Sequence, residues 1–257
     1  MNTRTDIDVR TIAPTICRLL GVDPPDECES EAIQEIVLSL SSSPRICLIV
    51  IDAVGETTFN IHRNNASFLN SIADSHFLPI QAVMPPVTPV NFASMATGTA
   101  PMTHSIRNRE ESIFNDTLFD ALRRGGRTSA VAAHEQSTLN MLLASKADSK
   151  TIAEHNTDSE IIKLTEEMLE QALYDFVWIQ LLDMDHAQHT FGVRNPSAGK
   201  VLAKLDEKIR HLCELLEELE YGIIICSDHG QHDNDDNSGG VHDGTSDDDS
   251  QAIVMWQ

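Results

Sequence analysis

Aspartates and histidines recur in this 257-residue chain at the places where a sheet would deliver them to one edge. Asp52 directly follows the apolar run Ile46 to Ile51. Asp183 and Asp185 follow the run Phe176 to Leu182, and Asp228 follows Gly222 to Cys226. Short apolar runs of this kind read as buried strands. In open α/β sheets, sites collect beyond the carboxyl ends of the strands. A single aspartate in such a place is commonly a helix cap or a turn residue. Three strands that each deliver one point instead to a shared site. Histidines accompany them: His189 four residues after Asp185, His229 beside Asp228, and His242 in an acidic, glycine-containing loop. Aspartate and neutral histidine are ligands that zinc accepts. Clustered carboxylates repel one another unless they are protonated or bridged by cations. Two divalent ions would relieve that repulsion and would give an anionic substrate a positive seat.

A hydroxyl joins this set. The segment Met84 to Gly98 reads Met-Pro-Pro-Val-Thr-Pro-Val-Asn-Phe-Ala-Ser-Met-Ala-Thr-Gly. Its first prolines force an extended approach, and Pro89 suits the first turn of a helix. Thr88 therefore lies near a helix N-cap. One reading makes it a cap and nothing more. The other places a nucleophile where backbone N–H groups and the helix dipole favour an anion. A threonine hydroxyl attacks only when a base or a metal activates it.

The elements that must carry these residues alternate. Strands are expected at Ile46 to Ile51, Thr128 to Ala133, Phe176 to Leu182, Gly222 to Cys226 and Ala252 to Trp256. Helical spacing runs over Ser159 to Leu173, over Asn195 to Tyr221, and over Asn115 to Arg124 before Gly125-Gly126. Such alternation predicts an α/β fold, a mostly parallel sheet with helices on both faces. With no linker or repeat, residues 1–257 read as a single domain. The segment Gln231 to Ser250 holds seven aspartates, two histidines and three glycines, so it reads as a solvated loop, a metal-bound loop, or both. Within it, Asp247 to Asp249 is expected to be a solvated face.

Composition narrows the partners. Lys+Arg number 18 against 40 Asp+Glu, a formal charge of −22. Phosphate backbones and acidic membranes repel such a surface, so polymeric nucleic acid and membranes are not expected partners. A small phosphorylated substrate, a nucleotide included, remains open if a locally positive site receives it. No apolar run approaches the ~20 residues of a membrane span. Met1 to Arg10 has no apolar signal-peptide core. Five cysteines, an odd number with no CxxC pair, read as free thiols in a reducing cytoplasm. The sequence carries no sign of oligomeric state.

Taken in order, the motifs resemble the alkaline phosphatase superfamily, and specifically its nucleotide pyrophosphatase/phosphodiesterase branch. The matches are Ile51-Asp52, Thr88-Pro-Val-Asn91, Asp185-His-Ala-Gln-His189-Thr-Phe-Gly192, Ser227-Asp228-His229-Gly230 and Gly240-Val-His242. The resemblance runs from residue 46 to the C-terminus and implies an alkaline phosphatase-like three-layer sandwich. It implies that Asp52, Thr88, Asp228 and His229 hold one metal ion, and that Asp185, His189 and His242 hold the other. Zinc is the implied ion, and manganese suits the aspartates nearly as well. Thr88 would be the nucleophile of a two-step hydrolysis through phosphothreonine, and Asn91 would hydrogen-bond a phosphoryl oxygen. His104 matches a supporting histidine, not a ligand.

Several positions depart from the family pattern. Gln188, Ser105 and Asp243 stand where glycine is usual, and Asp183, His186 and His232 are extra potential ligands. Sulfatases are excluded, because they need a Cys or Ser followed by x-Pro-x-Arg. The interval from Gly98 to Asp185 shows no large cap insertion of the kind phosphomutases carry. Asn91 resembles the diesterases, but Arg107 and Arg109 keep a phosphomonoesterase open, and a phosphonate hydrolase would share the threonine site. Outside catalysis, the same ligands would suit a metal-binding protein on a decayed enzyme fold. Selectivity is expected from Glu56 to Asn65 and Ala133 to Asn156. Lastly, Asp8 to Pro25 resembles a helix that commonly closes this superfamily at its C-terminal end. It opens the chain here, so a circular permutation is expected to pack Pro14 to Gly21 near the last strand.

Overall fold

The computed structural model describes residues 7–155, 157–235 and 238–257. Ten helices and nine strands lie among them. In chain order they are α1 (Ile12–Leu20), α2 (Gln34–Ser39), β1 (Arg45–Ile51), α3 (Glu56–His62), α4 (Ser67–Ala73), β2 (Phe77–Gln81), α5 (Thr88–Thr97), α6 (Pro101–His104), α7 (Leu118–Arg124), β3 (Ser129–His134), β4 (Ser149–Ala153), α8 (Asp158–Gln171), β5 (Phe176–Leu181), α9 (Asp183–Phe191), α10 (Pro196–Glu218), β6 (Tyr221–Cys226), the short β7 (His232–Asp233) and β8 (Gly240–Val241), and β9 (Gln251–Trp256).

Seven strands form one sheet in the order β2-β9-β6-β1-β5-β3-β4. β1, β3, β4, β5 and β6 pair in parallel, and β9 runs antiparallel to both β6 and β2. Alternate side chains of each strand enter opposite layers, as the pleat requires. Ile46, Leu48 and Val50 of β1 pack with α1, α2, α5 and α7. Cys47, Ile49 and Ile51 pack with α3, α4, α8, α9 and α10. The expected three-layer α/β sandwich is therefore present. In the first layer Trp178 lies between Phe92 and Phe119, with ring centroids 5.5 and 5.9 Å away.

The five strands with continuous apolar runs are the ones expected from sequence. β2 and β4 are not among them, and both are edges of the sheet. An edge strand has one unpaired side, so it tolerates Pro79 in β2 and the polar Ser149-Lys-Thr of β4. α7 starts at Leu118, not Asn115, because Thr117 and Asp120 form a reciprocal cap there. Helix α10 stops at Glu218, and Tyr221 opens β6.

The N-terminal segment joins this frame directly. The Gln81 N–H donates to the Ile7 carbonyl (2.9 Å), beside β2. Helix α1 ends at Gly21, whose φ of 68° is the left-handed conformation that glycine adopts without strain. Its Ile12, Ile16 and Leu20 share one core with Ala252 and Val254 of β9, and the helix lies against β1, α2, α5 and α7.

One close backbone approach ties the sheet edge together. A Cβ at Gly55 would lie 2.5 Å from the Gln251 carbonyl oxygen and 2.6 Å from the Gly230 Cα. Both neighbours are backbone and cannot rotate away. Gly55→Ala is expected to lower stability by about 1–3 kcal/mol, the usual cost of overpacking. A urea-denaturation midpoint that does not fall would contradict this contact.

Candidate active site

Three neighbouring strands deliver the acidic groups. Asp52 follows β1, Asp185 lies in the first turn of α9 after β5, and Asp228 follows β6 by two residues. These strands are adjacent in the order β6-β1-β5, so the carboxylates meet at one carboxyl edge. Ala53 takes a left-handed φ of 60°, and its N–H donates to Asp228 Oδ1 (3.3 Å). A non-glycine residue there is strained unless its surroundings impose it. Gln188 imposes it: its Nε2 donates to the Ala53 carbonyl (3.0 Å), and its Oε1 accepts from Thr58 Oγ1 (2.6 Å). The departure at position 188 thus has a structural role.

The side chains form two groups able to hold a cation. Asp52, Asp228 and His229 are all buried, and Asp185, His189 and His242 are partly open. His229 Nε2 lies 3.6 Å from Asp52 Oδ1 and 3.4 Å from Asp228 Oδ2. His189 Nε2 lies 3.2 Å from Asp185 Oδ1, and His242 Nε2 lies 4.0 Å from the same atom. The His229 and His242 rings stack at 4.2 Å, so the two groups are contiguous. Each histidine has Nδ1 within 3.0 Å of a backbone carbonyl: Gly240 for His189, Gly230 for His229, Pro86 for His242. A neutral imidazole that donates from Nδ1 leaves an Nε2 lone pair for a metal.

The electrostatics agree with a missing positive charge. Burial, reinforced by the Asp228 and Asp185 charges, pushes the Asp52 carboxyl well above the ordinary range. Burial also raises Asp228. Burial acts upward on Asp185 too, but the His189 hydrogen bond, with the charges of His189, His229 and His242, holds it below its usual value. Asp228 Oδ2 and Asp185 Oδ1 are buried and accept no aligned hydrogen bond. Orphaned carboxylate oxygens of this kind are costly unless a cation or a proton meets them. The donor set therefore fits two divalent ions.

Thr88 is the first residue of α5, preceded by an extended Val87, and its hydroxyl points into the buried group. Oγ1 lies 3.2 Å from His229 Nε2 and donates to Asp52 Oδ1 at 3.4 Å. Among the described residues its hydroxyl makes these two contacts and none to the helix backbone. Asn91, expected to meet a phosphoryl oxygen, is held here by the loop before α5. It has no exposed surface, its Oδ1 accepts from the Val83 N–H (2.8 Å), and its Nδ2 faces the carbonyls of Val83, Pro85 and Val87. In this conformation it braces the loop that leads to Thr88. A contact with a phosphoryl oxygen would require Nδ2 to leave those carbonyls. His104 is buried between Ser94 Oγ and the Ile106 N–H, and burial lowers its pKa to about 4.

The extra candidates lie elsewhere. Asp183 Oδ1 accepts from the Asp158 N–H, and Asp158 accepts from the Asp183 N–H in return. His186 faces a neighbouring cleft. His232 Nδ1 pairs with Asp249 Oδ1 at 2.6 Å, and Asp243 Oδ1 is held by Thr245. Although His232, Asp243 and Asp249 form a third acidic group, these partners already use its donor atoms. Asp249 is fully buried and Asp248 accepts from Thr57 Oγ1, so Asp247 to Asp249 is not the solvated face expected from its charge. Asp236 and Asn237 of that loop lie outside the described residues. Sequence reasoning also passed over Gln180. It is fully buried in β5, donates from Nε2 to Asp52 Oδ2 (2.8 Å) and accepts from the Leu139 N–H. Only its polarity within an apolar strand could have signalled it.

Comparisons with known proteins follow the same geometry. The sequence profile of type I phosphodiesterase / nucleotide pyrophosphatase matches residues 46–112 and 128–251. No protein with a curated description matches the chain. Among solved structures, murine ectonucleotide pyrophosphatase / phosphodiesterase 5 superposes with a TM-score of 0.61 at 16% identity, covering 74% of this chain and 58% of that one. Phosphonoacetate hydrolase from Sinorhizobium meliloti gives 0.57 at 18% identity, covering 76% and 59%. The C-terminal periplasmic domain of EcEptC from Escherichia coli gives 0.56 at 12% identity, covering 84% and 73%. At such identities the likeness is one of fold. The chain spans less than two thirds of the first two proteins.

Two outcomes are expected from this geometry. Metal-free protein should gain thermal stability on titration with zinc, by about 2.7 kcal/mol when free metal is a hundredfold above its dissociation constant. Gln180→Leu should weaken zinc binding by about 10–100-fold, the usual effect of removing a partner that orients a ligand. Calorimetric titration of both apoproteins checks this, and equal affinities would remove Gln180 from the site.

Proposed function

The chain belongs to the type I phosphodiesterase / nucleotide pyrophosphatase family, and from that premise we propose that it hydrolyses small phosphate esters with two divalent ions and Thr88 as nucleophile. The observation that carries this reading is the hydroxyl of Thr88 at the start of α5. It lies within 3.4 Å of both a buried aspartate and a buried histidine of one cation-holding group. Asp52, Asp228 and His229 would hold one ion with Thr88, and Asp185, His189 and His242 the other. When bound, such ions would lower the hydroxyl's pKa and offset charge on the attacking and leaving oxygens.

The chain's own residues supply the rest. The Thr88 hydroxyl donates toward Asp52 Oδ1, which gives its proton an acceptor. Thr88 Oγ1 then bonds to phosphorus as the ester oxygen departs. Water then attacks the phosphorus bound to Thr88, releases it from a diester as the monoester that keeps the remaining group, and restores the hydroxyl. Asn91 holds the 83–87 loop, so Oγ1 is placed before substrate arrives. Gln180 and Gln188 hold Asp52 and the turn behind it. Two in-line displacements leave the configuration at phosphorus unchanged.

The phosphodiester or pyrophosphate bond is the favoured substrate class, because the matched family has that activity. An inactive form of the murine protein is described in complex with AMP, which supports a nucleotide as one candidate. Zinc is the favoured ion. The EcEptC domain is described in complex with Zn, and the three Nε2 atoms here suit it. The −22 charge supports a small substrate over a polymeric nucleic acid. The five cysteines are unpaired, and four are buried, which supports a reducing compartment. No helix among the described residues is long and apolar enough to cross a membrane.

Zinc-loaded protein should hydrolyse bis-p-nitrophenyl phosphate and lose that activity to a chelator. Thr88→Ala should cut the rate by about a thousandfold or more, as removal of a nucleophile does. Its metal content, measured by elemental analysis, should stay near that of the parent. Acid quenching should trap a p-nitrophenyl phosphoryl group on Thr88. Full activity in Thr88→Ala would overturn the assignment, and a faster rate on a phosphonate than on this diester would move the substrate to C–P bonds.

A further inference from the structure

Beside the metal-ligand groups lies a cleft of about 390 Å3 that the proposed chemistry does not use. Its walls are Arg109, His134, Glu135, Gln136, the segment Ala153 to His155, Leu182 and His186. That volume is within the range of small-molecule sites. The sheet order explains its position. The metal-ligand groups sit at the ends of β6, β1 and β5, and the cleft sits at the ends of β5, β3 and β4. The two therefore adjoin along one carboxyl edge and share α9, where His186 directly follows Asp185.

The lining is polar, and among the described residues it holds no Phe, Tyr or Trp. A flat apolar group would find nothing to stack on except imidazole. Among the described residues, Arg109 is the one Arg or Lys in the wall. Its Nε is 3.5 Å from the exposed Glu110, and its terminal nitrogens have no acceptor among the described residues. Arg124 and Arg127, by contrast, are each fixed by an aspartate at 3.0 Å or less. Arg109 meets Glu110 only through Nε, so its two terminal nitrogens are left to meet an anion in the cleft. His134 stiffens the wall behind it: its ring is buried, with Nε2 3.3 Å from Asp158 Oδ1 and Nδ1 3.3 Å from the His155 carbonyl.

We propose that this cleft seats a carboxylate carried by the part of the substrate outside the scissile phosphoryl group, with Arg109 as its partner. The assignment rests on the phosphoryl-transfer reading above and names the substrate class for it. Glu135 and Glu154 limit the charge. They follow β3 and β4, at the far end of this stretch of edge, whereas His186 stands at the near end on α9. Their two carboxylates repel a dianionic phosphate more than a singly charged acid, which leaves the bond to Arg109 to hold the acid in place. A carboxylate also matches the planar fork of arginine with two parallel hydrogen bonds.

The test uses carboxymethyl p-nitrophenyl phosphate and its uncharged counterpart, carbamoylmethyl p-nitrophenyl phosphate, on zinc-loaded protein. The parent should favour the carboxylate ester in kcat/KM by about tenfold or more, the usual effect of a hydrogen-bonded charge pair. Arg109→Gln should reduce that preference to within about twofold, mainly through KM, as loss of ground-state binding does. Arg107→Gln removes a neighbouring exposed arginine outside the cleft and should keep the preference. A parent without preference, or a preference that survives Arg109→Gln, overturns the proposal. Calorimetric binding of both esters to Thr88→Ala reads the same ratio without turnover. If the parent hydrolyses neither ester, the phosphoryl-transfer reading fails, and the binding ratio still decides whether Arg109 seats the acid.

Discussion

Asp52, Asp185 and Asp228 are driven apart by their own charges and held together by everything around them. Two of the three are fully buried, and burial pushes both upward in proton affinity. A cluster of this kind exists only where cations or protons complete it. The surrounding structure reads as the means of holding it open for them. The histidines anchor Nδ1 on carbonyls and turn Nε2 inward. Gln180 takes the far oxygen of Asp52 and leaves the near one to Thr88. Gln188 and Thr58 fix the left-handed turn at Ala53 that joins Asp52 to Asp228.

The sandwich supplies the rigidity this requires. β6, β1 and β5 are central strands with apolar side chains in both layers, so their carboxyl ends have little freedom. Loops of modest length then suffice to place the ligands. Helix α5 meets the edge end-on, and its approach is set by a loop that Asn91 braces from within. The cleft at β3 and β4 is built from more exposed residues, on the side where the sheet runs out to its edge strand. The central strands thus hold the clustered carboxylates and histidines, and more exposed segments border the cleft beside them.

The similarity to solved structures at 12–18% identity is one of backbone and does not fix the side chains of the site. Positions where this chain departs from the family pattern prove informative for that reason. Gln188 replaces a glycine yet gains two hydrogen bonds that lock the turn behind Asp52. Ser105 keeps the left-handed conformation, φ 59°, that glycine would favour there. His186 and His232 were potential ligands by type alone. The fold turns the first toward the cleft and pairs the second with a buried aspartate.

Local physics made the central strands, the longer helices and the place of Thr88 at a helix start legible, because apolar period and proline position act over a few residues. The same reasoning supplied the order of the metal-ligand candidates, since a carboxylate after a buried strand must emerge at the sheet edge. It missed β2 and β4, whose pairing on one side only leaves no apolar run to detect. It also took Asp249 as solvated, because a charge run says nothing about which member turns inward to meet His232. The roles of Asn91, Gln180 and Gln188 were decided by tertiary structure alone. An amide is neutral, carries no period, and acquires its function from whichever donor or acceptor the fold brings within 3 Å of it.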